Sequence, residues 1–128
     1  MKKDIETRKD IEWLVNEFYR KVKADEVIGY IFNDIVKVNW EKHLPVMYDF
    51  WENTLFYTGS YEGNPMKMHQ ELHKLAHLTK EHFKQWEQLF NQTIDEYFEG
   101  PNATLIRQRA NSISTVMQIK IFHTPPAI

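Results

Sequence analysis

The 128-residue sequence predicts an all-α protein, and three observations carry that prediction. Apolar residues recur three and four apart along most of the chain. Only four glycines occur, and three of the five prolines, at 65, 101 and 125, stand beside breaks in the pattern, with Pro126 extending the last. No stretch alternates apolar and polar residues with the strict period of two that a half-buried strand shows. The pattern amounts to about six helices, with no internal repeat and no low-complexity linker, and the length fits one domain spanning 1–128.

Ile11, Leu14, Val15, Phe18 and Val22 predict an amphipathic helix from Asp10 to Lys23, with Asp10 as its N-cap. A short helical turn is expected within Val27 to Val36, around Ile28, Ile31 and Phe32. Asn39 is the expected cap of a helix running to Phe56. That helix carries two adjacent stripes, one of Trp40, Leu44, Trp51 and Leu55, the other of His43, Met47, Phe50 and Thr54. TGSYEGNP, residues 58–65, reads as a loop, and a short helix from Met66 comes after it. Thr79 is expected to cap a further helix to Phe98, with Phe83, Trp86, Leu89, Phe90 and Ile94 inward. Gly100 fits its stop, and Pro101 prevents continuation. The last helix, from Ala103 to Ile121, turns Ile106, Ala110, Ile113 and Met117 to one face.

Composition narrows the function classes. Hydrophobic residues make up 42% and charged residues 27%, as in ordinary soluble domains. A net charge of -2 argues against nucleic acid as the main partner, because phosphate binding needs a positive surface. No apolar run reaches the roughly 18 residues of a membrane span. MKKDIETRKD has no apolar segment behind its charges, so no signal peptide is expected and a cytoplasmic location is the simplest reading. The absence of cysteine removes disulfides, thiolate metal sites, a cysteine nucleophile and covalent haem attachment through C-x-x-C-H. Eight Phe, six Tyr and four Trp are an unusual load, and such rings line pockets for flat ligands.

Four of the six histidines lie in NPMKMHQELHKLAHLTKEHF, residues 64–83. His69, His73 and His77 are spaced at i, i+4 and i+8, which on a continuous helix drift around one face. The zinc-protease motif fails, because HQELH has Gln70 where H-E-x-x-H needs glutamate. No Glu has a His three residues on, so the di-iron bundle signature is absent. The P-loop, G-x-G-x-x-G and G-x-S-x-G patterns are absent too. A flat iron cofactor would need an apolar slot, a nitrogen ligand and polar groups opposite it. Candidates for each exist, although aromatic stripes alone are more often plain core.

LVNEFYRKVKAD, IGYIF, WEKHLPVMYDFW, YEGNPMKMH and LTKEHFKQWEQLFNQTIDEYFEG together span nearly the whole chain. They resemble the truncated haemoglobins, specifically group III. The combination W-x-x-H-L-P-x-x-x-x-F-W followed by G-N-P-M-x-x-H carries most of the resemblance, and the absence of the Gly-Gly pairs of the other groups agrees with it.

The resemblance implies a truncated globin fold around non-covalent haem b, with His69 as the proximal iron ligand. It places Tyr19 on the distal side as a donor to a bound ligand. Trp86 is a second donor, whose indole N–H cannot accept a proton. His43 takes the distal position, where it bonds a ligand, gates the pocket or serves as a sixth ligand. Phe32, Met47, Phe50, Trp51, Phe83 and Phe90 are expected walls. His73 and His77 are read as bland, His82 as a structural contact and His123 as exposed; Lys67 and His73 are weak candidates for the propionates. Two donors disfavour ready release of dioxygen, so the implied function is binding of diatomic ligands (dioxygen, nitric oxide, carbon monoxide) for nitric oxide or peroxide chemistry, with electrons from a reductase that the sequence does not identify. A haem sensor or carrier without turnover uses the same residues. A cofactor-free helical interaction domain is the remaining alternative.

Overall fold

The computed structural model describes residues 2–35, 37–59 and 78–122. Among them are four α-helices and one π-helical turn, and no strand. Helix α1 spans Arg8–Ala24 and buries Ile11, Leu14, Val15, Phe18, Tyr19 and Val22. Thr7, rather than Asp10, is its N-cap. The Thr7 hydroxyl accepts the Asp10 N–H and the Asp10 carboxylate accepts the Thr7 N–H, a reciprocal capping box. The first turn contributes no buried apolar residue before Ile11, so periodicity alone starts the helix too late.

Asp25 ends α1 and shapes the next segment. One of its carboxylate oxygens accepts the N–H groups of Val27 and Ile28, and the other accepts the Gln85 amide from across the fold. The expected short turn then appears as a π-helical turn over Ile31–Ile35, burying Ile31. Helix α2 spans Trp40–Phe56, as predicted, although the Asn39 side chain makes no capping bond. Pro45 lies inside it and supplies no N–H to the preceding turn. The helix closes at Tyr57 in the left-handed conformation, with its N–H on the Asn53 carbonyl.

Helix α3 spans Lys80–Tyr97 and is capped by Thr79, with His82 in the place a glutamate usually takes in the capping box. Helix α4 spans Pro101–Phe122. Pro101 therefore opens this helix as well as closing the previous one, in the first position where a missing N–H costs nothing. The cap comes from far away in sequence. The Asp4 carboxylate accepts the N–H groups of Asn102 (3.0 Å) and Ala103 (2.8 Å). Lys3 pairs with Phe98 in an isolated bridge, and the Ile5 side chain is fully buried. The N-terminal segment is thus a strap across the α3–α4 junction.

Helix α1 packs on α2 and α3, and α4 packs on α3 and α2. Arg8 ties α1 to α2 through Asp49 (2.7 Å) and Glu52 (3.2 Å). The larger hydrophobic cluster lies among these four helices. A smaller one gathers Ile31, Leu78, Phe83 and Met117. Residues 66–77, where a short histidine-bearing helix is predicted, lie outside the described residues. No helix among the described residues is long and apolar enough to cross a membrane.

Candidate functional site

A cavity of about 480 Å³ opens between the two hydrophobic clusters. That volume falls within the roughly 300–1,000 Å³ typical of small-molecule sites. Helix α1 contributes Tyr19, α2 contributes His43, Val46, Met47, Phe50 and Trp51, and α3 contributes Phe83 and Trp86. The π-helical turn adds Ile31 and Phe32, and α4 adds Ile113, Ser114 and Met117. Lys37 and Lys42 stand exposed at the rim. Each placement has a local cause in the sequence. The second stripe of α2 turns to the cavity because the first is anchored in the core by Leu55 and by Trp51, which is buried yet also reaches the cavity wall. Thr54, the last member of that second stripe, instead returns its hydroxyl to the Phe50 carbonyl at 2.7 Å.

Tyr19 is 6% exposed, and burial alone acts on its hydroxyl: no hydrogen bond or charge from the described residues reaches it. Burial penalises the phenolate and raises the pKa, so the group stays a proton donor throughout the physiological range. Its ring lies 5.5 Å from His43 and 5.1 Å from Trp40, centroid to centroid. Trp86 stacks on Phe90 at 5.5 Å and nearly parallel, and meets Phe18 edge-on at 5.6 Å. Phe90 also stacks on Trp51 at 4.8 Å. It is fully buried behind Trp51 and Trp86, so it backs the wall whose surface those two rings form.

His82 reaches the cavity edge with both ring nitrogens engaged. Nδ1 accepts the Thr79 N–H at 3.1 Å, which fixes the proton on Nε2, and Nε2–H donates to the Tyr30 hydroxyl at 3.2 Å. This is the structural contact expected of it, and it leaves neither nitrogen for a metal. His69, His73, His77, Lys67 and His123 lie outside the described residues. Among the described residues no group of three or more His, Asp or Glu could hold a metal ion.

The cavity fits haem by its own features. Its walls are apolar and aromatic, as a tetrapyrrole face requires, and its rim carries the two lysines that anionic propionates call for. The Tyr19 hydroxyl, on a residue that lines the cavity, makes no hydrogen bond to the described residues and is left to donate to a polar ligand there. Sequence reasoning finds Tyr19, Phe32, His43, Met47, Phe50, Trp51, Phe83 and Trp86, and the structure brings all eight to the cavity. It misses Lys37 and Lys42, which read as ordinary solvated charges. Ile113 and Met117 are legible as an inward face, with nothing to separate cavity wall from core. Ser114 gives no periodic signal, since it is a polar residue on that buried face.

The bacterial-like globin family model matches residues 3–119. The group 3 truncated haemoglobin ctb of Campylobacter jejuni is 29% identical over 125 residues, covering 95% of this chain and 96% of the relative. The crystal structure of the group III truncated haemoglobin from Campylobacter jejuni superposes with a TM-score of 0.82 at 30% identity, covering 94% of this chain and 95% of that one. Sequence, fold and the apolar cavity with its buried tyrosine agree: this chain belongs to the bacterial-like globin family, as a truncated haemoglobin of group III, a family that binds ligands at haem.

Proposed function

We propose that the chain holds haem b non-covalently, with His69 as the axial nitrogen ligand, and turns over nitric oxide or peroxide rather than delivering dioxygen. The observation that carries this reading is the Tyr19 hydroxyl, on a buried residue that lines the cavity and bonded to none of the described residues, with Trp86 as a second donor lining the same cavity. Haem, when bound, supplies an iron centre that takes diatomic ligands and exchanges electrons. Lys37 and Lys42 would hold its propionates, and the rings of Phe32, Phe50, Trp51 and Phe83 would pack its faces and exclude water.

Tyr19 Oη–H and Trp86 Nε1–H both donate to a ligand that carries partial negative charge. Each such bond is worth roughly 1.5–3 kcal/mol, so together they slow ligand loss and favour chemistry on a retained ligand. Neither group takes up a proton at neutral pH: the indole is donor-only, and burial holds the phenol protonated. Of Tyr19, Trp86 and His43, only His43 can both give and accept a proton there. Electrons for turnover come from a separate reductant.

The test is a haemin titration of haem-free protein, followed by ferric, ferrous and carbon monoxide spectra beside His69→Ala. A one-to-one Soret band that shifts with carbon monoxide, and a ferrous spectrum altered in His69→Ala, are the expected results. Uptake no better than that of an unrelated helical protein overturns the reading. Nitric oxide consumption by the oxygenated protein, or peroxide-dependent oxidation of a dye, then separates turnover from storage.

A further inference from the structure

Trp40 is not one of the residues that form the cavity surface, yet it touches Tyr19 of α1 and His43 of α2, which do. Its ring lies 5.1 Å from Tyr19 and 5.7 Å from His43, in tilted and edge-on geometry. Tyr19 and His43 meet each other at 5.5 Å, so the three rings form a closed triangle. Phe32, from the π-helical turn, stacks on Trp40 at 6.1 Å and an interplanar angle of 25°. The Lys23 ammonium lies 5.0 Å from the Trp40 ring centroid. Trp40 is also the first residue of α2, shortly after the backbone turn in which Lys37 takes a positive φ of 53°. A ring at such a junction has no preceding helical turn to orient it, so Phe32 and Lys23 set its position.

We infer that Trp40 is a positioning residue for ligand binding: it fixes Tyr19 and His43 relative to each other, and Lys23 and Phe32 hold it in place. This role rests on the haem reading and deepens it. The physical basis is that a hydroxyl and an imidazole on different helices have independent rotamers unless a shared rigid neighbour couples them. Tyr19 accepts no orienting hydrogen bond from the described residues, so ring packing is what defines where its hydroxyl stands. Edge-to-face contacts of this kind are directional and select one arrangement among several of similar area. The ammonium over the indole ties that arrangement to the exposed end of α1, through an attraction that depends on the ring's π face.

The experiment measures the C–O stretching band of the carbon monoxide complex and the dioxygen dissociation rate in Trp40→Leu, Trp40→Phe and Lys23→Met. Each variant is compared with the parent and again in a Tyr19→Phe background. A single polarised C–O band in the parent is expected to split or shift upward in Trp40→Leu, with dissociation about tenfold faster, the size of one misdirected donor. Trp40→Phe, which keeps a flat ring, restores most of the band. Lys23→Met, a surface change that leaves the core intact, gives an effect of about two- to fivefold in the same direction. In the Tyr19→Phe background the Trp40 effect on dissociation largely disappears. An unshifted band in haem-loaded Trp40→Leu overturns the inference and leaves the haem reading intact. An equal rate effect with and without the Tyr19 hydroxyl also overturns it, because that is plain packing. Parent protein that takes up no haemin removes both. If Trp40→Leu fails to fold, Lys23→Met still decides, since a parent-like value there contradicts the role of the ring's π face.

Discussion

Tyr19 concentrates most of the chemistry at the scale of single residues. Removing its hydroxyl with Tyr19→Phe keeps the ring contacts to Phe18, Phe32 and Trp40 and removes one donor. Dioxygen dissociation from the ferrous protein should then rise about ten- to a hundredfold, from a charge-assisted bond of roughly 1.5–3 kcal/mol. The stability of the haem-free protein should change little, because the hydroxyl makes no hydrogen bond to the described residues. Flash photolysis and chemical denaturation check the two halves separately. His82 carries a different residue-scale prediction. Burial lowers its pKa from the ordinary 6.5, against a smaller upward pull from Glu81. The fold therefore favours the neutral ring, whose Nδ1 accepts the Thr79 N–H. As pH falls below 6.5 the unfolded chain takes up the proton first, so stability declines until the lower folded-state pKa is reached. His82→Gln keeps an acceptor in the capping box and should flatten that part of the pH–stability profile, measured by urea denaturation between about pH 5 and 7 at roughly half-unit steps.

The helices themselves are legible in the sequence because their cores are periodic, and their ends are legible only where a local signal exists. Thr79 announces α3 correctly, being a threonine shortly before the inward-facing run that starts at Phe83. Thr7 escapes notice because Asp10 is an equally good N-cap by residue type, and only the three-dimensional exchange of hydrogen bonds distinguishes N-cap from third position. The cap of α4 is beyond any local reading, since Asp4 reaches it from the other end of the sequence. That long-range cap makes Gly100 critical. Its φ of +138° is strained for any side chain, and an added Cβ would lie 2.6 Å from the Asp4 Cγ. The carboxylate cannot retreat without giving up the Asn102 and Ala103 N–H bonds that cap α4. Gly100→Ala should therefore cost about 1–3 kcal/mol, and Asp4→Ala about 0.5–2 kcal/mol for the lost cap. In the double variant the penalties should fall short of their sum, because the collision vanishes with the carboxylate while the backbone strain remains. Denaturation midpoints of the parent, the two single variants and the double variant close this cycle.

For the whole molecule, what the sequence could not convey is that, among the described residues, the buried apolar side chains divide into two clusters that both border one cavity. Periodicity marks Phe83, Ile113 and Met117 as inward, and it does so equally for a wall and for a filled core. The division has an energetic consequence. Of the larger cluster's buried residues only Tyr19, Ile28 and Trp51 reach the cavity; the rest is held by the first half of α1, the N-terminal strap and the Arg8 clamp, none of which lines it. The smaller cluster of Ile31, Leu78, Phe83 and Met117 is bounded on one side by the cavity, so its cohesion depends on the occupant. Haem bound only by the folded state stabilises it by mass action, by about 2.7 kcal/mol at a free concentration roughly one hundred times the dissociation constant. The gain should not be uniform. Amide hydrogen exchange should show increased protection on haemin binding in the turn at 31–35, in α2 around His43 and Met47, and in the second half of α4. The first half of α1 and the Asp4-capped start of α4 should change little, because their slowest exchange already reports the larger cluster. Uniform protection of every helix would mean that the two clusters unfold as one unit and that the cavity does not divide the fold energetically.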